Sequence, residues 1–232
     1  MNKGTARGVI FDLFGTLVSG VQSGKFNTLI EKMAKAMDLS FEEFNRAWVE
    51  TAEDRYRGKF RTIRENLEAV LRILGQRATG EGIQKAVALR EAHTNHELDP
   101  KAESEKVLRK LRGRGLKIGL ISDCSPGVPE LWMRCSLSNL VDVSIFSSEV
   151  GLKKPDPKIF RLALGQLGLS AKECLYVGDG GSQELSGAAQ VGLRPILLEP
   201  ESGTVVAGYG WEAETWTGER VGNLSEIEGL LG

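Results

Sequence analysis

Histidine and cysteine are scarce in this sequence of 232 residues, which has two of the first and three of the second. The cysteines, Cys124, Cys135 and Cys174, are odd in number, and their spacing fits no zinc-binding pattern. We expect them to be reduced thiols of a cytoplasmic protein. His93 and His96 lie three residues apart and do not match the His-Glu-x-x-His zinc motif. The sequence therefore argues against a zinc site and against a disulfide scaffold.

An excess of charge and a long apolar run are also missing. The 30 basic and 31 acidic side chains give a net charge of −1, so nothing attracts the whole chain to nucleic acid or to an anionic membrane. No run approaches the roughly 18 apolar residues of a membrane-spanning helix, and the first strand is too short to be the apolar region of a signal peptide. We expect a cytoplasmic globular protein, monomeric or homodimeric, without nucleic acid or membrane partners.

Residues 19–97 have the apolar periodicity of helices. Apolar side chains recur at steps of three and four residues, for example at Phe26, Leu29 and Met33. A capping box, Ser40-Phe-Glu-Glu43, begins one of the helices, and no strand pattern interrupts the stretch. The pattern predicts a bundle of about four helices.

After residue 100, helices alternate with strands predicted at residues 117–121, 141–146, 174–177 and 195–198. Such alternation is typical of a parallel sheet built from βαβ units. The apolar strand at residues 9–11 can join only these later strands. We therefore predict an α/β protein in which residues 1–18 and 98–232 form a Rossmann-like core, with helices on both faces of a parallel sheet. Residues 19–97 form a helical-bundle cap domain between the two pieces, and residues 201–218 form an irregular glycine-rich loop.

Polar residues lie where the predicted strands end. Asp12 follows the first strand, Ser122 the strand at 117–121, and Asp179 the strand at 174–177. Open α/β folds carry their chemistry at the carboxyl ends of the strands, and Gly15 allows a turn that keeps Asp12 exposed. Lys154, held by the proline that follows it, is a candidate for binding an anion. Together these residues predict an active site at one edge of the sheet.

This set resembles the motifs of the haloacid dehalogenase-like hydrolase superfamily in order and spacing. Each motif alone is weak, but four in order, each at a strand end or loop, are a specific signal. The resemblance covers the chain to about residue 200, and it implies the all-helical cap after the first strand. The motifs are Asp12-x-Phe14-Gly15-Thr16-Leu17, Ser122, Lys154-Pro-x-Pro, and Gly178-Asp179 with Glu184 five residues later.

The resemblance implies catalytic roles for Asp12, Ser122, Lys154 and Thr16. Asp12 would be the nucleophile of a covalent aspartyl intermediate, which splits one difficult displacement into two easier ones. Ser122 would hydrogen-bond the transferred group, and Lys154 would neutralise its charge.

The resemblance also implies Mg²⁺ as cofactor. Asp12, Asp179 and the backbone carbonyl of Phe14 would hold the ion, and Glu184 would support the metal shell. Mg²⁺ typically binds one or two carboxylates together with substrate phosphate and water, which this set supplies.

Four further residues are candidates for binding the substrate. Gly180 begins a glycine-rich turn whose amides could form an anion-binding nest, and Asp123 follows the motif serine. In the cap, Arg57 and Lys59 flank a glycine where a loop could send a cation into the cleft, although a solvated basic helix face explains them equally well.

Phe14 departs from the phosphatase pattern. Phosphatases of this superfamily carry a second aspartate at that position, which protonates the leaving group, and a phenyl ring cannot do so. Two explanations stay open. The acid comes from elsewhere, such as the cap cations, or the substrate is an acyl phosphate or another ester whose leaving group needs little protonation.

An aromatic residue at this position is also similar to the 2-haloacid dehalogenases, because halide leaves without a proton. Against that interpretation, the chain keeps Asp179 and Glu184, carries Asp123 where dehalogenases have asparagine, and carries Phe160 where they have tyrosine. The sequence thus favours a Mg²⁺-dependent phosphatase of a small phosphorylated metabolite. A dehalogenase and a catalytically weak, phosphate-binding regulatory protein are the alternatives.

Overall fold

The computed structural model describes residues 6–19, 23–200 and 211–231. Residues 201–210, the larger part of the predicted glycine-rich loop, lie outside these ranges. None of the helices within them combines the length and the apolar character that a bilayer crossing needs.

A parallel sheet of six strands forms the centre of the molecule. Its strands are β1 (Gly8–Phe11), β2 (Lys117–Ser122), β3 (Val143–Phe146), β4 (Cys174–Gly178), β5 (Arg194–Leu198) and β6 (Glu219–Val221). The spatial order is β3-β2-β1-β4-β5-β6, and the register places Phe11 beside Leu120 and Val177. The prediction that the first strand joins the later ones in a parallel sheet is confirmed.

The sequence pattern does not predict β6. This strand has three residues, of which Glu219 and Arg220 are exposed, and it lies at the edge of the sheet beside β5. Natural edge strands are commonly short and charged, which prevents further pairing. Such a strand lacks the apolar run by which the other five are recognised.

Helices cover both faces of the sheet, as predicted. They are α6 (Ser104–Gly113), α7 (Val128–Trp132), α8 (Ser147–Val150), α9 (Pro157–Leu167) and α10 (Glu184–Gln190). Val9 and Phe11 point into a core cluster shared with α6 and α7, whereas Ile10 points into a cluster shared with α9 and α10. Burial on both faces explains why these strands are apolar throughout.

Between β1 and α6 the described residues form five helices rather than about four. They are α1 (Ser23–Ala36), α2 (Phe41–Glu50), α3 (Ala52–Tyr56), α4 (Ile63–Leu74) and α5 (Gly80–Glu97), and we call them the helical insertion. A third buried cluster around Met33, Trp48 and Leu67 lies among them. The predicted helix start at Ser40 is confirmed, because its hydroxyl accepts the Glu43 N–H at 3.3 Å. That the insertion is a separate cap domain stays a prediction.

The chain enters and leaves the insertion at neighbouring points. Val18 and Pro100 form an antiparallel bridge, and the Lys101 N–H donates to the Leu17 carbonyl at 3.1 Å. The Ser104 hydroxyl donates to the same carbonyl at 2.6 Å. The two connections therefore lie side by side, directly after the turn that follows β1.

A second contact joins the insertion to the core near α3. The Glu53 carboxylate lies 2.8 Å from Lys153 Nζ. Gly58 lies so close to the carbonyl of Ser148 that an added Cβ would be 2.2 Å from that oxygen. The insertion thus rests on the segment that leads into Lys154.

Candidate active site

The carboxyl ends of β1, β2 and β4 meet near the centre of the sheet. Here the strand order reverses, because the chain builds outward from β1 through β2 on one side and through β4 on the other. Such a reversal leaves the crevice in which open α/β proteins bind ligands. Asp12 directly follows β1 and donates its N–H to the Val177 carbonyl at 2.8 Å, Ser122 ends β2, and Asp179 directly follows β4. The three predicted strand-end residues share this edge.

A lysine and two carboxylates form a buried ion cluster at this edge. Lys154 Nζ donates to Asp12 Oδ1 and, at 2.5 Å, to Glu184 Oε2. The three side chains are at most 7 % exposed, and a buried ammonium needs such partners to replace its hydration. Burial alone would lower the pKa of Lys154, but the charges of Asp12 and Glu184 outweigh it and hold that pKa well above its usual value. Lys154 is therefore a permanent cation beside Asp12.

The phenol of Tyr176, which the sequence analysis does not single out, completes this cluster. Its hydroxyl donates to Glu184 Oε2 at 2.7 Å and accepts from Lys154 Nζ at 3.4 Å, while its ring meets Phe160 edge to face at 5.4 Å. Burial, and then the charge of Glu184, raise the pKa of Tyr176 well above its usual value, so the phenol stays protonated. The sequence does contain a signal for this role, since Tyr176 lies in an otherwise apolar strand and a buried phenol needs a hydrogen-bond partner.

Three carboxylates converge where the metal site was predicted. Asp12, Asp179 and Glu184 are buried, and each offers an oxygen within 4.8 Å of the others. Burial, and next the charge of Asp12, raise the pKa of Asp179 to about 7. Burial likewise raises the pKa of Glu184, because three carboxylates beside one lysine would otherwise leave uncompensated negative charge in a buried site. An excess of buried carboxylate oxygens is a donor set that fits Mg²⁺.

Two glycines let these carboxylates approach the backbone. Gly15 has a φ of 80°, and an added Cβ there would lie 2.1 Å from Asp179 Oδ2. At Gly178 an added Cβ would lie 2.1 Å from Glu184 Oε1. The motif glycines therefore provide space for the carboxylates as well as a turn.

Ser122, Asp123 and Thr16 surround the cluster. Ser122 Oγ is buried and has no hydrogen-bond partner among the described residues, which leaves it able to donate to a bound ligand. Asp123 Oδ1 accepts the backbone N–H of Lys154 at 3.0 Å, and burial raises the pKa of Asp123. Thr16 Oγ1 lies 3.5 Å from Asp12 Oδ2. Asp123 thus positions the lysine, and Thr16 faces the second oxygen of Asp12.

The glycine-rich turn does not form the predicted open nest. The Gly180 N–H donates to Glu184 Oε1 and the Gly181 N–H donates to Asp179 Oδ1, both at 3.0 Å. These amides bind the carboxylates of the site itself, so the expectation that Gly180 offers a free donor is corrected.

Arg57 and Lys59 do not join the cluster either. Arg57 Nε lies 2.6 Å from Glu53 Oε1, and Lys59 Nζ lies 2.5 Å from Asp54 Oδ2. Both cations are largely exposed and paired within the insertion, so their role in binding substrate stays a prediction.

Comparison with known proteins identifies the family. The sequence model of the haloacid dehalogenase-like hydrolases matches residues 6–192, a range that contains every member of the ion cluster. The chain belongs to this family. The resemblance seen in the motifs is thereby confirmed.

Curated relatives of the hydrolase include named phosphatases. Phosphoserine phosphatase of Thermus thermophilus is 32% identical over 133 residues, which cover 54% of this chain and 48% of that enzyme. Glyceraldehyde 3-phosphate phosphatase of Methanocaldococcus jannaschii is 26% identical over 203 residues, which cover 83% of this chain and 84% of that enzyme. In the first comparison the hydrolase spans only about half the length of its relative.

Solved structures share the fold. The 2-haloacid dehalogenase of Pseudomonas syringae pv. Tomato superposes with a TM-score of 0.69 at 23% identity, over 97% of this chain and 98% of that chain. At this identity the likeness establishes the architecture, an α/β Rossmann-like fold, and leaves the reaction to be argued from the site.

Proposed function

We propose that the hydrolase is a Mg²⁺-dependent phosphatase of a small phosphorylated metabolite, acting through an aspartyl-phosphate intermediate on Asp12. The observation that carries the proposal is the convergence of Asp12, Asp179 and Glu184 within 4.8 Å. A metal-independent dehalogenase has no use for such a cluster. The named phosphatases among the relatives support the same class of substrate.

Asp12 is the group that attacks phosphorus. As its bond to phosphorus forms, the bond to the leaving oxygen breaks, and water later cleaves the aspartyl phosphate to release inorganic phosphate. Lys154 holds Asp12 Oδ1 and neutralises charge beside it. Ser122, whose hydroxyl has no partner among the described residues, donates to a phosphoryl oxygen.

Asp12, Asp179 and Glu184, with the backbone carbonyl of Phe14, are the groups that would hold Mg²⁺. A bound ion supplies positive charge to the phosphoryl oxygens during transfer. Glu184 also accepts hydrogen bonds from Lys154 and Tyr176. This one carboxylate would therefore both position the lysine and contribute to the metal site.

Phe14 determines which substrates we expect. Protonation of the leaving group is worth about 10²–10⁴-fold in rate, and Phe14 cannot provide it. Arg57 and Lys59, the cations considered as substitutes, are paired within the insertion. This pairing favours a substrate such as an acyl phosphate, whose leaving group needs little protonation.

We further propose that the helical insertion acts as a cap over the site. It contacts the core through Glu53 and Lys153, the residue before Lys154. A cap seated there would exclude bulk water from the reaction and restrict access to small substrates.

One panel of substrates tests the proposed function. The purified protein is incubated with p-nitrophenyl phosphate, acetyl phosphate and 2-chloropropionate, each with Mg²⁺ or with EDTA. We expect phosphate release that EDTA abolishes, with acetyl phosphate the better substrate. Asp12→Asn should abolish turnover, whereas Asp38→Asn, an exposed aspartate of the insertion, should leave it unchanged.

A 2-haloacid dehalogenase is the second candidate, and Phe14 favours it because halide leaves without a proton. Chloride release from 2-chloropropionate that is indifferent to EDTA would establish that activity and overturn the first proposal. Binding of Mg²⁺ and orthovanadate without turnover of any substrate would instead identify a catalytically weak regulatory protein.

A further inference from the structure

The loop between Asp179 and Glu184 has a strained backbone. Ser182 and Gln183 have φ angles of 57° and 51°, in the left-handed region that non-glycine residues rarely adopt. Such conformations are unfavourable and persist only where the surrounding structure holds them. Because this loop joins two carboxylates of the candidate metal site, whatever holds it also sets the distance between them.

The end of the loop is held by Glu212, which lies shortly after residues 201–210 in the sequence. Its carboxylate is buried, and Oε2 accepts the Leu185 N–H at 2.9 Å. The other carboxylate oxygen, Oε1, accepts the Ser186 N–H at 3.3 Å and the Ser186 hydroxyl. Amides in the first turn of a helix have no carbonyl partner within that helix. Glu212 therefore caps α10 from outside the helix, directly beyond Glu184.

The start of the loop is held by the same residue. The Glu212 N–H donates to the Gly180 carbonyl at 2.8 Å. Gly180 also lies close to Ala213, the residue after Glu212, because a Cβ added to Gly180 would be 2.9 Å from the Ala213 nitrogen. Trp211 and Trp216 pack against the core cluster beneath α9 and α10, which fixes the segment itself. One short stretch of chain thus contacts both ends of the strained loop.

This segment lies outside the part of the chain that the family model matches. The match to the haloacid dehalogenase-like hydrolases ends at residue 192, twenty residues before Glu212. The clamp formed by residues 211–216 is therefore a feature that the family motifs do not describe.

We propose that Glu212 is a positioning residue that holds the loop from Asp179 to Glu184 in the conformation in which its carboxylates converge with Asp12. The affinity for Mg²⁺ then depends on a segment at the far end of the sequence. The metal part of this inference rests on the proposed function, whereas the holding of the loop does not.

The test compares Glu212→Gln and Ser186→Ala with the wild type. Glu214→Gln is the matched control, because Glu214 is an exposed carboxylate two residues away. Calorimetry gives the Mg²⁺ dissociation constant, hydrogen exchange in EDTA gives the protection of amides 180–186, and thermal unfolding in EDTA gives the Tm. We expect Glu212→Gln to weaken Mg²⁺ binding by about 10–100-fold, as is typical for partners of metal ligands, and to speed exchange across the loop. Ser186→Ala should have a smaller effect in the same direction, and Glu214→Gln none.

The outcomes separate this inference from the proposed function. A lower Tm with unchanged Mg²⁺ affinity and unchanged loop exchange would make Glu212 merely structural and overturn the inference. If Glu212→Gln does not fold, Ser186→Ala, which removes one hydroxyl, decides the question by the same measurements. If the wild type binds no Mg²⁺, the proposed function fails, and loop exchange in the metal-free variants still supports or overturns the clamp.

Discussion

Phe14 lies two residues after the proposed nucleophile and separates this hydrolase from phosphatases that carry their own general acid. We expect Phe14→Asp to raise kcat on an alkyl phosphate by about 10²–10⁴-fold, because the new carboxyl can protonate the leaving alcohol. Turnover of acetyl phosphate should change by less than about threefold, since its leaving group needs little protonation. Phosphate release with saturating Mg²⁺ measures both.

Phe14→Asn is the control for this substitution, because it has the size and polarity of aspartate without an acidic proton. The acid explanation is wrong if the asparagine variant gains as much on the alkyl phosphate as the aspartate variant. It is equally wrong if Phe14→Asp leaves the turnover of both substrates unchanged.

Asp179 gives Mg²⁺ binding a dependence on pH. Burial and the nearby charge of Asp12 raise the pKa of Asp179 to about 7, so below that pH the metal-free carboxyl carries a proton that Mg²⁺ must displace. We expect the apparent affinity for Mg²⁺ to fall by at least about tenfold for each pH unit below 7, because burial also raises the pKa of the neighbouring Glu184. Calorimetric titrations between about pH 5.5 and 8.5 measure the effect, and a constant affinity over the acidic half of this range would contradict it.

The charged residues of the site could be predicted from the sequence, because each follows a recognisable strand or lies directly before a proline. Asp12, Lys154 and Asp179 are of this kind, and the structure brings them together. Tyr176 and Glu212 could not be predicted in the same way. The hydrogen-bond partners of Tyr176, Lys154 and Glu184, lie in other segments of the chain. Glu212 accepts the N–H of Leu185, which lies 27 residues earlier in the sequence.

At the scale of single elements, the turn after β1 tightly constrains the site. Gly15→Ala would place a Cβ 2.1 Å from Asp179 Oδ2, in addition to the strain of a φ of 80°. We expect it to displace Asp179, to weaken Mg²⁺ binding by at least about tenfold and to reduce kcat by a similar factor. Calorimetry and phosphate release measure the two effects.

Gly75→Ala is the matched control for the turn. Gly75 ends α4 with a φ of 63°, and an added Cβ there would meet no heavy atom within 4 Å. Backbone strain alone should lower the free energy of unfolding by about 1 kcal/mol and leave Mg²⁺ binding unchanged. If the two variants lose stability equally and both bind Mg²⁺ as the wild type does, the contact with Asp179 does not matter.

The elements themselves show what a sequence pattern can and cannot predict. Five strands were recognisable because burial on both faces requires an uninterrupted apolar run. The edge strand β6 has no such run, and α3 is a helix of five residues, Ala52–Tyr56, too short to show an apolar period. Both elements are held by contacts with distant parts of the chain, such as the pairing of Glu219 with Arg194 at 2.5 Å.

At the scale of the whole molecule, the contact between Glu53 and Lys153 links the insertion to the segment that carries Lys154, the proposed catalytic lysine. Hydrogen bonds from Lys153 and Arg57 lower the pKa of Glu53, so this carboxylate stays charged at neutral pH. Glu53 is half exposed, and pairs of this kind contribute about 0–1 kcal/mol. We expect Glu53→Gln to change the Tm little but to raise KM by up to about fivefold, because the cap would seat less firmly. Steady-state kinetics at low and high salt measure the effect.

Asp54→Asn provides the comparison for Glu53, because the neighbouring carboxylate pairs with Lys59 inside the insertion at 2.5 Å. Its KM should equal that of the wild type. An equal rise in KM for both variants would show that charge on the insertion, rather than its link to the core, affects the substrate.

The bridge between Val18 and Pro100 makes the architecture modular. Residues 23–97 are joined to the sheet by one pair of adjacent chain connections, and their other contacts with the core, such as that between Glu53 and Lys153, are noncovalent. This module can therefore be exchanged without altering a strand or its register. The proposed nucleophile stays with the sheet, whereas the groups that we propose select the substrate belong to the module. A chimera that carries a relative's helices between these two residues would keep the chemistry of this protein and acquire the specificity of the donor.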